Sequence, residues 1–248
     1  MIRVRTLFIV LSVNIWLCLA SVCQPLVTNS QSDSCQVRNH HSAEQIYHSL
    51  IKDSLDYLNG RANTFRYPGA RGNPFFSDGN WNKGSYMLAD RQFKDINIRY
   101  DILNDRLQCL HVTANGPVTI EVNPSFVRQF IYSDHSFIHF NLVHPGITAI
   151  DTGYYEELAS GRASLYIKWK KFVTTPSANH PGEYYLQKAT YIFLHNVMHR
   201  LTNRKSMLKA MDDRLIEIKS YIRQQRISIR HSSDPELTAI VNYYNSLF

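Results

Sequence analysis

The run Ile96-Asn97-Ile98-Arg99-Tyr100-Asp101-Ile102-Leu103-Asn104-Asp105-Arg106-Leu107 decides the fold class. Ile96, Ile98 and Tyr100 alternate with Asn97 and Arg99, the period of a strand with one buried face. Asn104-Asp105 is turn chemistry, so Leu107–Thr113 reads as the returning strand. Beyond it Asn115-Gly116-Pro117 makes a second turn, Val118, Ile120 and Val122 alternate again, and Pro124 ends them. The rhythm continues through Phe126–Tyr132, Ser136–Val143, Gly153–Ala159, Ala163–Val173, Glu183–Lys188 and Tyr191–Arg200, with a turn at Ser160-Gly161. Short strands at this spacing, all within residues 85–200 and with no helix between them, predict an antiparallel meander, either a curled sheet or a partly open barrel.

The flanks read differently. Residues 60–84 are broken by Gly60, Pro68, Gly69, Gly72, Pro74, Gly79 and Gly84, a loop whose Phe65, Tyr67, Phe75, Phe76 and Trp81 are expected to pack on the strands. Ser42 and Gln45 form a capping box, and Ile46, Leu50, Ile51, Leu55 and Leu58 recur at helical spacing, predicting a helix over 43–59 that stops at Gly60. Ser206 is a candidate N-cap for a helix over 207–226, with Leu208, Met211, Leu215, Ile218 and Ile222 in one stripe. Asp234-Pro235 opens a last helix over 235–247, with Leu237, Ile240, Val241, Tyr244 and Leu247 on one face. One-sided stripes place both helices on the sheet. The expectation is an α+β, mainly β, single domain over 42–248.

Residues 1–23 read as a signal peptide: Arg3 and Arg5 precede the apolar stretch Leu7 to Ala20, which is shorter than the roughly 20 residues that span a bilayer. Cleavage after Ala20 or Cys23 leaves a polar leader over 24–41. The alternative is a lipoprotein anchored at Cys23, against which Val22 is a poor neighbour. No later segment is apolar enough for a transmembrane helix, so a periplasmic or extracellular protein, soluble or peripheral, is expected. In an oxidising compartment Cys35 and Cys109 form a candidate disulfide closing a loop of roughly 75 residues, worth on the order of 4 kcal/mol; the alternative is two free thiols, with Cys109 a small core residue.

Three stretches resemble exported proteins of Bacteroidota that have no assigned activity. They are Tyr100 to Leu107, Gly153 to Leu158 with Leu165 to Lys168, and Lys205 to Met211 with Ile218 to Ile222 and Val241 to Tyr244. The resemblance covers roughly residues 80–248. It implies export from a bacterium and no particular chemistry.

Catalytic signatures are missing. His135 and His139, like His195 and His199, are four apart, but on strands this separation is about 13 Å, too far for one ion with Zn–N bonds near 2 Å. No metal site and no cofactor are expected. No G-x-S-x-G, P-loop or dinucleotide fingerprint occurs, and the adjacent carboxylates of Asp212-Asp213 and Glu156-Glu157 point in different directions. Tyrosine is abundant, with 15 residues, and Tyr154, Tyr166, Trp169 and Tyr184 are candidate ligand contacts; aromatics also fill any antiparallel sheet by cross-strand packing.

The composition is globular, 44% apolar and 19% charged, with a net charge of +7. Two of these charges, Arg3 and Arg5, leave with the signal peptide. Residues 204–230 hold eight bases and three acids, and the rest of the mature chain is neutral. One basic helix, with Arg223 and Arg226 at its end, is either a solvated face or a contact for anionic lipid or an acidic partner; a nucleic-acid surface is not expected. The leading expectation is a non-catalytic domain binding an envelope protein, glycan or lipid. The alternatives are a structural subunit of an envelope assembly, or a hydrolase assembling His135, His139, Asp151, Glu156, Glu183 and His195 from distant strands.

Overall fold

A computed structural model describes residues 56–248, except 64–68, 148–150, 176, 178–180 and 229–232. The deciding run folds as β3 (Arg91–Asp101), and the strand predicted to return is β4 (Arg106–Thr113), paired from Ile98↔Cys109 to Asp101↔Arg106. Asp101 makes the turn between them: its Oδ1 accepts the N–H groups of Leu103 and Asn104, both at 3.0 Å. The other strands are β1 (Gly60–Ala62), β2 (Asn82–Leu88), β5 (Gly116–Val122), β6 (Val127–Tyr132), β7 (His135–His139), β8 (Tyr154–Ala159), β9 (Ala163–Val173), β10 (Tyr184–Leu194) and β11 (Val197–Leu201). All join one antiparallel sheet of 11 strands in the order β1-β5-β4-β3-β2-β6-β7-β8-β9-β10-β11. The chain runs outward from β2 to β5, returns to lay β6 on the other side of β2, and meanders outward again to β11.

The ladder does not close, so the sheet is not a closed barrel. Strand twist accumulates across so wide a sheet and bends it. The bend carries the β3–β4 turn to β9, where the Lys171 N–H donates to Ile102 O at 3.0 Å. The segment before β2 fastens this meeting: Phe76 N–H donates to Tyr100 O at 2.9 Å, and Lys171 Nζ donates to Phe75 O at 2.5 Å. Phe76 enters the interior. Phe75 and Trp81 hold the Arg99 guanidinium between their rings, 3.7 and 4.2 Å from the centroids. The expected packing of these aromatics is observed; Phe65 and Tyr67 lie outside the described residues.

The inner face is filled with side chains. Tyr86, Ile98, Tyr100, Leu107, Cys109, Phe130, Tyr132, Phe137 and Tyr154 form one cluster. Phe130 and Phe137 stack at 4.8 Å and 17°, as cross-strand partners. A second cluster joins Leu165, Ile192 and Leu194 to the helices α2 (Arg204–Ala210), α3 (Leu215–Gln224) and α4 (Asp234–Asn245), through Met207, Met211, Ile218, Ile222, Ile240 and Tyr244. The apolar stripes are buried in this cluster: α2 and α4 lie against the sheet, and α3 packs on α2 and α4.

Several boundaries differ from the sequence reading. The expected strand Ser136–Val143 ends at His139, and Phe140–Val143 forms one helical turn, α1. The two strands expected over 183–200 divide elsewhere: β10 pairs with β9 along all of Tyr184–Leu194, and the turn falls at His195-Asn196, with φ of 52° and 61°. A His-Asn pair without Gly gives a weak turn signal, whereas the Ala189-Thr190 pair that looked like a break packs into the ladder. The helix expected over 207–226 is broken: α2 is capped by Asn203 rather than Ser206, which serves as the third residue of the capping box, and a 3-10 turn at Asp212–Arg214 precedes α3. Asp213 accepts from Tyr244 OH at 2.8 Å, fixing that break against α4. Of the helix expected over 43–59, Asp56–Leu58 is a 3-10 turn and Gly60 opens β1 instead of capping a helix; residues 43–55 lie outside the described residues.

Cys109 is a free thiol with no exposed surface, and Cys35 lies outside the described residues, so no disulfide forms among the described residues. Burial pushes the thiol up to about 12. In a variant keeping Cys109 as its one cysteine, a thiol reagent should react at the unfolding rate; reaction within seconds of mixing with native protein would contradict this burial.

Candidate binding groove and buried polar clusters

The aromatic candidates do not share a site. Tyr154 lies in the first cluster with its hydroxyl buried and without a partner, and its pKa is raised by burial. Trp169 packs against the same cluster. Tyr166 belongs to a third cluster on the opposite face, with Ile138, Phe140, Tyr155, Tyr191 and Met198. Its hydroxyl donates to Glu157 Oε1 at 3.3 Å and lies 3.3 Å from His144 Nε2. Tyr184 stands at the start of β10, its N–H bonded to Arg71 O at 3.0 Å. Strand alternation separates Tyr166 from Trp169, three residues apart on one strand.

The residues expected of a hydrolase meet only in one pair. His135 Nδ1 lies 2.5 Å from Glu156 Oε1, and Trp169 Nε1–H donates to Glu156 Oε2 at 2.6 Å. The Glu156 side chain is 5% exposed and that of His135 42%. A carboxylate that orients an imidazole can support proton transfer. Here it also holds the indole, and Phe76 lies edge-on to both rings, at 4.9 Å from His135 and 5.6 Å from Trp169. Asp151 pairs with Lys170 at 2.9 Å, His195 sits in the β10–β11 turn, and Glu183 forms an isolated parallel β-bridge with Arg71 through the backbone. His139 stands edge-on to Tyr154 with Nδ1 buried and without a partner. No group of three metal-ligating side chains occurs among the described residues.

His139, His144 and His199 are all held below the ordinary value of 6.5, each chiefly by burial; Lys168 and Arg106 add to this at His139, and Lys209 at His199. A lowered folded-state value means that the unfolded chain binds more protons in acid. Their contribution is therefore complete above 6.5 and lost as the pH falls below it. The urea midpoint should be lower at pH 5.5 than at pH 7.5, and an unchanged midpoint would refute this. Glu157, raised by burial, acts in the opposite sense at lower pH.

One buried charge escaped the sequence reading. Lys168 is 2% exposed, and its Nζ donates to Asp105 Oδ2 at 2.8 Å, Tyr154 O at 2.9 Å and Thr152 O at 3.0 Å. Burial lowers its pKa, opposed by Asp105. Asp105 also accepts from Tyr100 OH at 2.6 Å. Gly153 makes room for this contact: its φ is +98°, and a Cβ there would lie 1.7 Å from Asp105 Oδ2. The sequence signal was a lysine inside the apolar stretch Leu165 to Trp169.

A groove of about 460 Å³ opens where β1 meets β5 and β4, lined by Asn59, Gly60, Arg61, Arg106, Glu121, Val122, Asn123 and Pro124. Gly60 lets β1 approach: a Cβ there would lie 2.0 Å from Glu121 O. Arg106 and Glu121 alternate with the buried Leu107 and Val122, so they face away from the interior. Glu121 Oε1 accepts from Arg61 Nη2 at 3.1 Å and lies 3.4 Å from Arg106 Nε. Two guanidinium groups thus share one carboxylate.

In comparisons with known proteins, the chain matches no family model, no curated protein and no solved structure. Its own geometry must carry the functional reading. Neither Arg61 nor Arg106 stood out in the sequence, because β1 and β5 are about 60 residues apart and Gly60 read as a helix stop. The basic helix is placed as expected on the surface: Lys219, Arg223 and Arg226 are exposed. No helix among the described residues is long and apolar enough to cross a membrane.

Proposed function

We propose that this chain is a non-catalytic binding domain, exported to the bacterial envelope, that engages a ligand or partner through the β1–β5–β4 groove. The observation that carries this reading is the contrast between an interior filled by aromatic side chains and a polar concave surface outside it. Export rests on the signal-peptide pattern of residues 1–23. The pairs His135–Glu156 and Lys168–Asp105, each with one buried member, serve the fold in this reading, holding Trp169 and the β3–β4 turn.

The test is equilibrium binding of the full mature chain to panels of envelope glycans, lipids and peptides, with a hydrolase screen in parallel. Saturable binding without turnover is expected. Turnover that disappears in His135→Gln, with no binding, would replace this reading by the hydrolase one. A structural-subunit reading is favoured by one feature, the exposed stack of Phe172 on Tyr185 at the far end of β9 and β10. It predicts self-association, or a co-purifying protein, lost in Tyr185→Ser.

A further inference from the structure

We infer that the groove is a site for an anionic sugar, the acid group held between Arg61 and Arg106. The inference rests on the binding reading above and gives it a ligand class. Among the described residues each guanidinium makes one ion pair, and both go to the same oxygen of Glu121. An arginine carries five N–H donors in a planar fork. Most of this donor capacity is therefore left for a further acceptor. The charges count the same way: two cations against one carboxylate leave one positive charge in the groove, which a monoanion neutralises.

Glu121 acts as the brace. The residue is 9% exposed, while the Arg61 side chain is 77% and the Arg106 side chain 38% exposed. The carboxylate is the least exposed of the three groups, and one of its oxygens contacts a single nitrogen of each fork. Such preorganisation reduces the ordering entropy lost on binding. A carboxylate or phosphate group accepts from an arginine fork in two parallel bonds.

The remaining lining selects for a polyol. Asn59 and Asn123 supply amides; Asn123 Oδ1 accepts the Ser125 N–H at 3.1 Å, which leaves its NH₂ to donate. Pro124 and Gly60 add a small apolar surface, while the Val122 side chain is turned into the core. The volume suits one or two sugar rings, since small-molecule sites run from roughly 300 to 1,000 Å³. The polar lining disfavours an apolar ligand of that size.

The experiment is titration calorimetry of the mature chain with glucuronic acid, glucose 6-phosphate and glucose, on wild type, Arg61→Gln, Arg106→Gln and the remote Lys83→Gln. Thermal melts confirm that each variant is folded. The expected result is binding of an acidic sugar and not of glucose, weakened about tenfold or more in either groove variant and unchanged in Lys83→Gln, as for hydrogen bonds to a charged group. Binding of glucuronic acid alone assigns a carboxylate, and of glucose 6-phosphate alone a phosphate; either supports the site. Equal affinity for glucose, or acid binding that survives both groove variants, overturns it. So does the absence of binding to all three sugars while the panel finds another ligand, which leaves the binding reading intact. An empty panel overturns both.

Discussion

Replacing Asp105 with Ala should destabilise the protein by about 3 kcal/mol, because it strands the Lys168 ammonium in the interior. Lys168 is buried and would keep two carbonyl acceptors, Thr152 O and Tyr154 O, but no hydrogen-bonded counter-charge. The reverse change is expected to be much milder. Lys168→Met removes the buried charge and fills the same volume, while Asp105, 30% exposed, keeps the Tyr100 hydroxyl. A loss of about 1 kcal/mol is expected there, near the value of an ordinary hydrogen bond. The double variant Asp105→Ala/Lys168→Met should be more stable than Asp105→Ala alone, the coupling that neighbouring sites show. Calorimetry should place Asp105→Ala about 10 °C below wild type, at roughly 2–4 °C per kcal/mol for a domain of this size. Equal losses for the two single variants would show that desolvation is not what makes the pair asymmetric.

Phe76→Ala should cost about 3–5 kcal/mol, the range for removing a buried phenyl ring. The residue comes from a segment that the sequence marks as loop, yet it is 7% exposed and touches Tyr100, Tyr132, His135, Phe137 and Trp169. Its loss opens a cavity beside the Glu156–Trp169 hydrogen bond. Trp169 emission should therefore shift to the red in the native state, before global unfolding begins. Phe76→Leu should recover about half of the lost stability. A loss below 1 kcal/mol with unchanged emission would mean that the segment only covers the interior and does not hold it.

The strands were legible where alternation and turn chemistry agree. From Ile96 to Val122 the period of two, Asn104-Asp105 and Asn115-Gly116 all point to one answer, and Ala163–Val173 matches β9 at both ends. Strand ends failed where the turn used residues that mark turns weakly, as at His195-Asn196. An unclosed antiparallel sheet was anticipated, but the return of β6 to β2 was not, because pairing between remote strands leaves no local periodicity. The site was the least legible part. Tyr154 and Tyr166 sat in aromatic clusters that suited a ligand as well as a core, and the structure puts both in the core. Arg61, Arg106 and Glu121 lie on three strands, and no single stretch displays their convergence. Lys168 was visible as a charge in an apolar run, but its partner lies in a different hairpin.

The meeting of the β3–β4 turn with β9 has a kinetic consequence. Hairpins close locally within microseconds, while Lys168 must find a partner 63 residues away and Lys171 one 96 residues away. The two meanders can thus form before the sheet bends and its aromatic rings lose water. Contacts made after the rate-limiting step govern how fast the native state opens and leave the forward rate nearly untouched. In that interval the apolar stretch around Leu165, Tyr166 and Ile167 is exposed to other chains. A charge within such a stretch disfavours intermolecular strand pairing wherever the stretch is exposed. One side chain would then protect the nascent protein from aggregation by its charge in water, and the finished one from unfolding by its ion pair out of it.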